Sequence, residues 1–335
     1  MSRIQIYTNL NSDIYTNLAI EEYFMKKDDD DDIVFLWSNS PAVVIGRNQN
    51  EHKECNLLEM EHDKVTLARR KTGGGAVYQD NGNLNFTYIH NEKNNYIDII
   101  ALVMNYLKSK QIDVILSGRN DIVTKCDNRK ISGIASMQTD NKALLHGTLL
   151  INVNLTHMDK YLNVSPQKLK GIPSVQSRVI NINQINEDLT IESVKDGLID
   201  FIINSANSDC CQQSLPDSNC YSHIRELYSD YNWNHVTPFA YKHEIYKKFS
   251  WGELSICFQI KKGRISALKI YTDALDCELI NLIEKKCLNM TLEKTQIEHH
   301  FSELAGFICP QNKHSFSSCD LQTILSDIKT SLLYF

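Results

Sequence analysis

Residues Arg69 to Asn85 read RRKTGGGAVYQDNGNLN, with two arginines and a lysine beside three consecutive glycines. Glycines let the backbone approach a ligand closely and can aim several N–H groups at one anion. Arg69 and Arg70 add planar donors suited to carboxylate or phosphate. The run reads equally as a flexible turn flanked by charge. It is no Walker A loop, because no Gly-Lys-Ser/Thr follows, and no dinucleotide fingerprint, because the glycines are contiguous. A second segment joins Gly118-Arg119-Asn120-Asp121 to Arg129-Lys130-Ile131-Ser132-Gly133. Lys130 follows an expected turn at Cys126 to Asn128, and is either a cation set against an anionic group or a solvated side chain. Asp121 either caps, pairs with a basic residue, or holds Mg²⁺ beside phosphates. A third segment, Leu144 to Leu150, puts His146 and Thr148 on one face of a strand, with Leu145, Gly147 and Leu149 on the other. The polar pair either meets a ligand or satisfies itself in the interior.

The elements around these segments follow from pattern. Asn11-Ser12-Asp13 ahead of Ile14, Leu18, Ala19 and Phe24 predicts a capped amphipathic helix. Asp28 to Asp32 is a run of five like charges and predicts a solvated loop. Ile33 to Trp37, Ala42 to Ile45, Lys64 to Ala68, Leu84 to Ile89, Val114 to Leu116 and Ala143 to Val153 read as strands. Asp80-Asn81-Gly82-Asn83 is a tight-turn signal. Apolar spacing predicts helices over Tyr96 to Leu107, from Thr190 onward, over Asp276 to Lys286 and over Leu321 to Leu333. Asn204 to Ser218 is polar and reads as a loop. Leu254 to Ile260 and Ile265 to Tyr271 read as a hairpin. Strands and helices mix without regular βαβ alternation, which favours an α+β fold. A boundary near Tyr241 to Ser250 divides the chain into residues 1–245 and 246–335.

Composition narrows the function classes. The chain has 335 residues, 42% hydrophobic and 23% charged, with a net charge of −6. That is ordinary globular composition with length enough for a sizeable core. The negative balance argues against a nucleic-acid-binding surface. No apolar run reaches the roughly 20 residues of a membrane-spanning helix. No basic-then-apolar leader precedes Leu10, and ten scattered cysteines read as reduced thiols, so a cytoplasmic location is expected. The cluster Cys210, Cys211, Cys220 and His223 has no zinc-motif spacing and reads as a polar linker.

Taken together, the stretches IVFLWSNSPAVVIGRNQNEHKECN, LARRKTGGGAVYQDNGNLNFT, GRNDIVTKCDNRKISGIAS, LLHGTLLINVNL and GIPSVQSRVINI resemble the lipoate–protein ligase A family in order and spacing. YTNLAIEE is similar to that family's opening helix, and weaker similarity runs through FSWGELSICFQIKKGRISALKIYTDAL. The resemblance implies a large mixed-sheet catalytic domain of the lipoate/biotin ligase type and a small C-terminal α+β accessory domain. It implies an enzyme that makes lipoyl-AMP from lipoate and ATP with Mg²⁺. The lipoyl group then passes to a lysine of a lipoyl domain of a 2-oxoacid dehydrogenase E2 subunit or of glycine-cleavage H protein.

By motif, the resemblance assigns Arg70, Thr72, Gly73, Gly74 and Gly75 to the loop around lipoate, with Val77 and Tyr78 following it. Lys130 matches the catalytic lysine. Asn120, Asp121, His146, Gly147 and Thr148 line the acyl-adenylate site, Asp121 as a Mg²⁺ ligand, and Gly171 to Asn181 closes over the adenylate. A protonated Lys130 fits a step in which two anions must be brought together. Val44, Val77 and Leu149 are the expected type of lining for an apolar tail. Two departures stand out. Gln79 replaces a usual histidine, and Leu145 precedes His146 where a second histidine is usual. The nearest rival is a transferase using a preformed lipoyl-nucleotide or a lipoylated donor protein.

Overall fold

Asp13 accepts a hydrogen bond from the Thr16 amide and so starts the helix Ile14–Lys26. The strand before it, β1 (Arg3–Ser12), opens a series of β2 (Asp32–Asn39), β3 (Ala42–Ile45), β4 (Thr66–Arg69), β5 (Val77–Gln79), β6 (Asn83–Asn91), β7 (Val114–Ser117), β8 (Asp121–Thr124), β9 (Lys130–Gln138), β10 (Lys142–Leu150), β11 (Asp209–Gln212), β12 (His243–Phe249), β13 (Gly252–Lys261) and β14 (Arg264–Thr272). The computed structural model describes residues 3–118, 120–139, 141–163, 178–206, 209–235, 240–307 and 321–335.

Eight strands form a mixed sheet in the order β11-β1-β2-β6-β10-β9-β8-β7. The β1–β11 and β1–β2 pairs are parallel and the others antiparallel. Because side chains alternate along a strand, Val34 and Leu36 of β2 point one way and Phe35 and Trp37 the other. The first face packs with Phe86 of β6 and with Val103, Leu107, Leu198 and Ile202 on the helices Ile99–Ser109 and Ile191–Ser205. The second face packs with Leu18, Phe24, Val44 and Ala68, under the first helix and a small sheet ordered β4-β3-β5. The space between the two sheets is where the chemistry-bearing segments meet.

A further antiparallel sheet, β12-β13-β14, carries the helices Cys277–Cys287, Lys294–Phe307 and Leu321–Leu333 on a separate core of Ile256, Phe258, Ile270, Ile280 and Ile328. β12 pairs with β13 along its whole length, from His243 to Phe249. A division after residue 245 falls inside that strand, so the second unit begins before His243. Among the described residues no helix is long and apolar enough to cross a membrane.

Two expected loops are corrected. Asp209–Gln212 is not loop but strand β11, which closes one edge of the large sheet. The acidic run is not wholly solvated, because Asp32 is fully buried at the head of β2. Its carboxylate accepts from Tyr88 Oη at 2.6 Å, the Asn91 amide at 2.9 Å, Asn94 Nδ2 at 2.8 Å and His90 Nδ1 at 3.2 Å. Burial alone raises a carboxyl's pKa, but these bonds outweigh it and hold Asp32 below its ordinary value. A depressed folded-state pKa contributes stability above the unfolded value near 4 and loses it as pH falls through the folded value. Asp32→Asn should therefore cost about 2–4 kcal/mol at pH 7 and flatten the acid loss below about pH 4. Urea melts of both proteins from pH 7 to pH 3 measure this. Equal stability at pH 7 contradicts it.

Candidate active site

The small sheet lies over the large one and leaves a slot between them. Its walls are Leu18 and Trp37 at the inner end, Val44, Gly75, Val77 and Gln79 above, and Ala135, His146, Gly147 and Thr148 below. Asn120 and Lys130 stand at its mouth. The slot holds about 560 Å³ of empty space, its opening included. Gly147 has to be glycine, since a Cβ there would sit 2.4 Å from the Phe86 ring.

Lys130 heads β9 and Asp121 heads β8, and antiparallel pairing sets Asp121 opposite Gly133. Lys130 Nζ lies 2.8 Å from Asp121 Oδ1, with each side chain about one third exposed (32% and 35%). Gly133 is the floor beneath this pair. A Cβ there would fall 2.9 Å from Lys130 Nζ and 3.9 Å from Asp121 Oδ1. The Lys130 main chain is fixed independently, its carbonyl accepting from the Ile180 amide at 3.0 Å. Asn120 Nδ2 donates to the Ile134 carbonyl at 2.8 Å, and the Gly133 amide donates to Thr148 Oγ1 at 3.1 Å.

Arg70 is buried and spends its donors on main-chain carbonyls. Nη1 reaches Val44 O at 3.1 Å, and Nη2 reaches Gly73 O at 2.6 Å and Gly75 O at 2.8 Å. Burial brings its guanidinium down to about 10, still cationic at neutral pH. It thereby shapes the glycine turn from inside. Nε also donates to Thr72 Oγ1 at 3.0 Å. Thr72 meets His146 Nε2 at 2.9 Å, and His146 Nδ1 lies 3.1 Å from Glu21 Oε1. A carboxylate only accepts, so Nδ1 carries the proton, and a neutral ring then accepts the Thr72 hydroxyl at Nε2. Glu21 also accepts from the Thr87 hydroxyl, which accepts from Trp37 Nε1 at 3.0 Å. A continuous polar chain thus runs from Arg70 to Trp37.

The sequence-derived candidates separate into three groups. Arg70, Gly75, Val77, Asn120, Lys130, His146, Gly147 and Thr148 line the slot, and Asp121 lines the cleft adjoining it. Thr72, Gly73 and Gly74 stand outside the slot lining. A Cβ on Gly73 would lie 2.1 Å from the Ala274 carbonyl, and the Gly74 amide points at that carbonyl at 3.4 Å, so the turn rests on the second unit. Tyr78 alternates with Val77 and Gln79, which turns its ring into a cluster with Val43 and Tyr161. It borders the cleft and not the slot. Of the apolar candidates, Val44 lines the slot while Leu149 belongs to the core, as does Leu145. Leu18, Trp37, Ala135 and Asn85 were missed, as was Glu21. Glu21 had a signal, since it sits three residues after Leu18 on the inward face of a helix.

Arg69 and Lys71 do not add charge to the slot. Arg69 is buried on Glu51 and several carbonyls, and Lys71 Nζ pairs with Glu22 at 2.6 Å. Most of Gly171 to Asn181 lies outside the described residues; Arg178 and Val179 border the cleft. That cleft, about 3090 Å³ with the open space at its mouth included, runs from Lys130 and Asp121 to Lys53, Glu244, Lys248 and Tyr271 between the two units.

Residues 13–203 match the lipoyl protein ligase A/B catalytic domain, and residues 238–325 match the bacterial lipoate protein ligase C-terminus. A lipoate–protein ligase A of Blochmanniella floridana is 36% identical, over 84% of this chain and 87% of its own. The crystal structure of P. falciparum LipL1 in complex with lipoate superposes with a TM-score of 0.82 at 29% identity, covering 99% of this chain and 100% of the other. A chain from the structural analysis of an archaeal lipoylation system, a bipartite lipoate protein ligase and its E2 lipoyl domain from Thermoplasma acidophilum, gives 0.61 at 26% identity over 72% and 99%. A lipoate–protein ligase A bound with ATP gives 0.59 at 25% identity over 70% and 98%. The chain belongs to the lipoate–protein ligase A family.

Proposed function

We propose that the chain activates lipoate with ATP and joins the lipoyl group to a lysine of an acceptor protein. The observation that carries this is the Lys130–Asp121 pair, set where the slot between the two sheets opens into the large cleft beside it. An apolar acid enters the slot tail first, which leaves its carboxylate at Lys130. A carboxylate oxygen then attacks the α-phosphorus of ATP, the bond to pyrophosphate breaks, and lipoyl-AMP forms. Lys130 lowers the repulsion between the two anions as a compact cation. In the second step the acceptor lysine's amine attacks the acyl carbon and AMP leaves, with Lys130 stabilising the developing negative charge. Arg70, Thr72 and the Gly73 to Gly75 turn hold the slot's upper wall, and His146, Gly147 and Thr148 its floor, while Asn120 fixes the mouth. Mg²⁺ usually binds through one or two carboxylates completed by substrate phosphates. Asp121 fits that pattern as the nearest carboxylate, and the ion would supply further neutralisation of the phosphates. Acceptors in this reading are lipoyl domains of 2-oxoacid dehydrogenase E2 subunits and glycine-cleavage H protein, met in the cytoplasm.

A second reading, transfer from preformed lipoyl-AMP or a lipoylated donor, gains from one observation. Arg69 and Lys71 are held in internal ion pairs and are not free for pyrophosphate. Purified protein incubated with lipoate and Mg-ATP, and no acceptor, separates the two. Release of pyrophosphate with formation of lipoyl-AMP is expected. No pyrophosphate, with lipoyl-AMP still accepted, leaves the transferase in its place.

The floor under Lys130 provides a finer test. Gly133→Ala pushes a methyl against a flexible ammonium, so the fold should lose less than about 1 kcal/mol. The displaced cation should slow adenylation about 10–100-fold. Wild-type turnover in this variant would remove Lys130 Nζ from the reacting centre.

A further inference from the structure

The departure at Gln79 gains a meaning from the floor and roof of the slot. Gln79 and Asn85 are both buried, with 4% and 2% exposure, and both face into it. Their amides pair with each other. Gln79 Nε2 donates to Asn85 Oδ1 at 2.9 Å, and Asn85 Nδ2 donates to Gln79 Oε1 at 3.3 Å and to the Trp37 carbonyl at 3.3 Å. An amide nitrogen carries two hydrogens. Both of Asn85's are used, while the second one on Gln79 Nε2 has no protein acceptor among the described residues. Around this polar patch the inner slot is otherwise apolar, with Leu18, Trp37, Val44 and Ala135.

The patch lies where the end of a bound acyl chain must fall. Lys130 belongs to β9, and β10, β6 and β2 follow in order across the sheet. At ~4.8 Å between strands, the distance from β9 to β2 is roughly 14 Å. An eight-carbon acid, fully extended, spans about 9 Å at ordinary C–C lengths. With its carboxylate at Lys130, its far end lies by Asn85 on β6, two strands and roughly 10 Å away, on the near side of Trp37, which lines the same slot. A hydrocarbon end would displace water from the spare Gln79 N–H and offer nothing in return, and a buried donor left without an acceptor is costly. A divalent sulfur is a weak acceptor and packs favourably against an aromatic ring.

We propose that the Gln79–Asn85 amide pair, with Trp37, selects a sulfur-bearing acyl end over a plain hydrocarbon end of the same length. The proposal rests on the ligase reading for its substrate class. The test compares lipoate, 6-thiaoctanoate and octanoate by kcat/KM for pyrophosphate release with Mg-ATP, and by calorimetric binding to the same protein. Wild type should prefer lipoate over octanoate about tenfold, with 6-thiaoctanoate between them. Q79L/N85L, which replaces the pair by apolar side chains of similar volume, should bring the lipoate-to-octanoate ratio close to one, mainly by improving octanoate. Should that variant not fold, the single substitution Q79L decides by the same lipoate-to-octanoate ratio. Equal affinity for octanoate and lipoate, or a variant whose ratio matches wild type, overturns the proposal. If neither acid yields pyrophosphate, it is the ligase reading that fails, and the binding ratio still decides the selectivity.

Discussion

Lys130→Ala should reduce lipoylation of an acceptor domain about 10²–10³-fold while leaving the fold intact. The side chain touches the site only through Nζ, 2.8 Å from Asp121, and is one third exposed at 32%. The main chain of the residue is held by the Ile180 amide and by a bridge to Val179, neither of which needs the ammonium. An exposed ion pair of this kind contributes at most about 1 kcal/mol to stability. The loss should appear in both half-reactions: pyrophosphate release from lipoate and ATP, and transfer from synthetic lipoyl-AMP. Arginine should rescue poorly, because its planar fork does not replace a point charge and Gly133 leaves room for a slender stem only. Asp121→Ala should differ in kind, weakening the ATP step more than transfer from lipoyl-AMP if the carboxylate helps hold Mg²⁺. Mass spectrometry of the acceptor, with unfolding curves for each variant, measures these. Near-normal lipoylation by Lys130→Ala would sink the catalytic assignment.

What sequence made legible, and what it hid, follows from the range of the forces involved. The helix at Ile14 was readable because its start depends on one local bond, from the Thr16 amide to Asp13. The slot floor was readable because a two-residue alternation puts His146 and Thr148 on one face whatever the partner strands are. Strand β11 was not, since DCCQ has no apolar signature and exists as a strand only because β1 offers a free edge. Asp32 was hidden inside an acidic run. Its partners Tyr88, His90, Asn91 and Asn94 lie about sixty residues away, and nothing in five consecutive aspartates says which one turns inward. The slot's inner end failed for the same reason. Trp37, Gln79 and Asn85 come from three strands, and each alone reads as ordinary core or turn. Family resemblance pointed to Arg70 and Lys130, and the structure has both lining the slot. It could not distinguish a lining residue from a supporting one, which is why Thr72 and Tyr78 shared a description with Val77.

Arg69 is the sharpest case of that ambiguity, and Arg69→Met should destabilise the protein by about 3–5 kcal/mol. Next to three glycines an arginine suggests phosphate. Here Nη1 donates to Gln49 O at 2.6 Å and Gly46 O at 3.2 Å, Nη2 to Asn234 O at 3.0 Å, and Nε to Trp233 O at 3.1 Å. Nη2 also meets Glu51 Oε2 at 3.1 Å, and the Glu51 side chain is fully buried. Methionine fills much of the stem's volume but leaves a buried carboxylate without its guanidinium and several carbonyls without donors. Two of those carbonyls belong to the segment from Gly46 to Gln49, against which the Gly73 to Gly75 turn rests, so loss of the arginine should loosen the slot's roof as well. Lysine at 69 keeps the charge but cannot reach in three directions at once, and should recover less than half of the lost stability. Urea unfolding of wild type, Arg69→Met and Arg69→Lys measures the first effect. The KM for ATP of the folded fraction distinguishes the two roles. A structural arginine predicts a large loss of stability with KM changed less than about threefold, whereas a stable Arg69→Met protein with KM for ATP raised tenfold or more would return Arg69 to the phosphates.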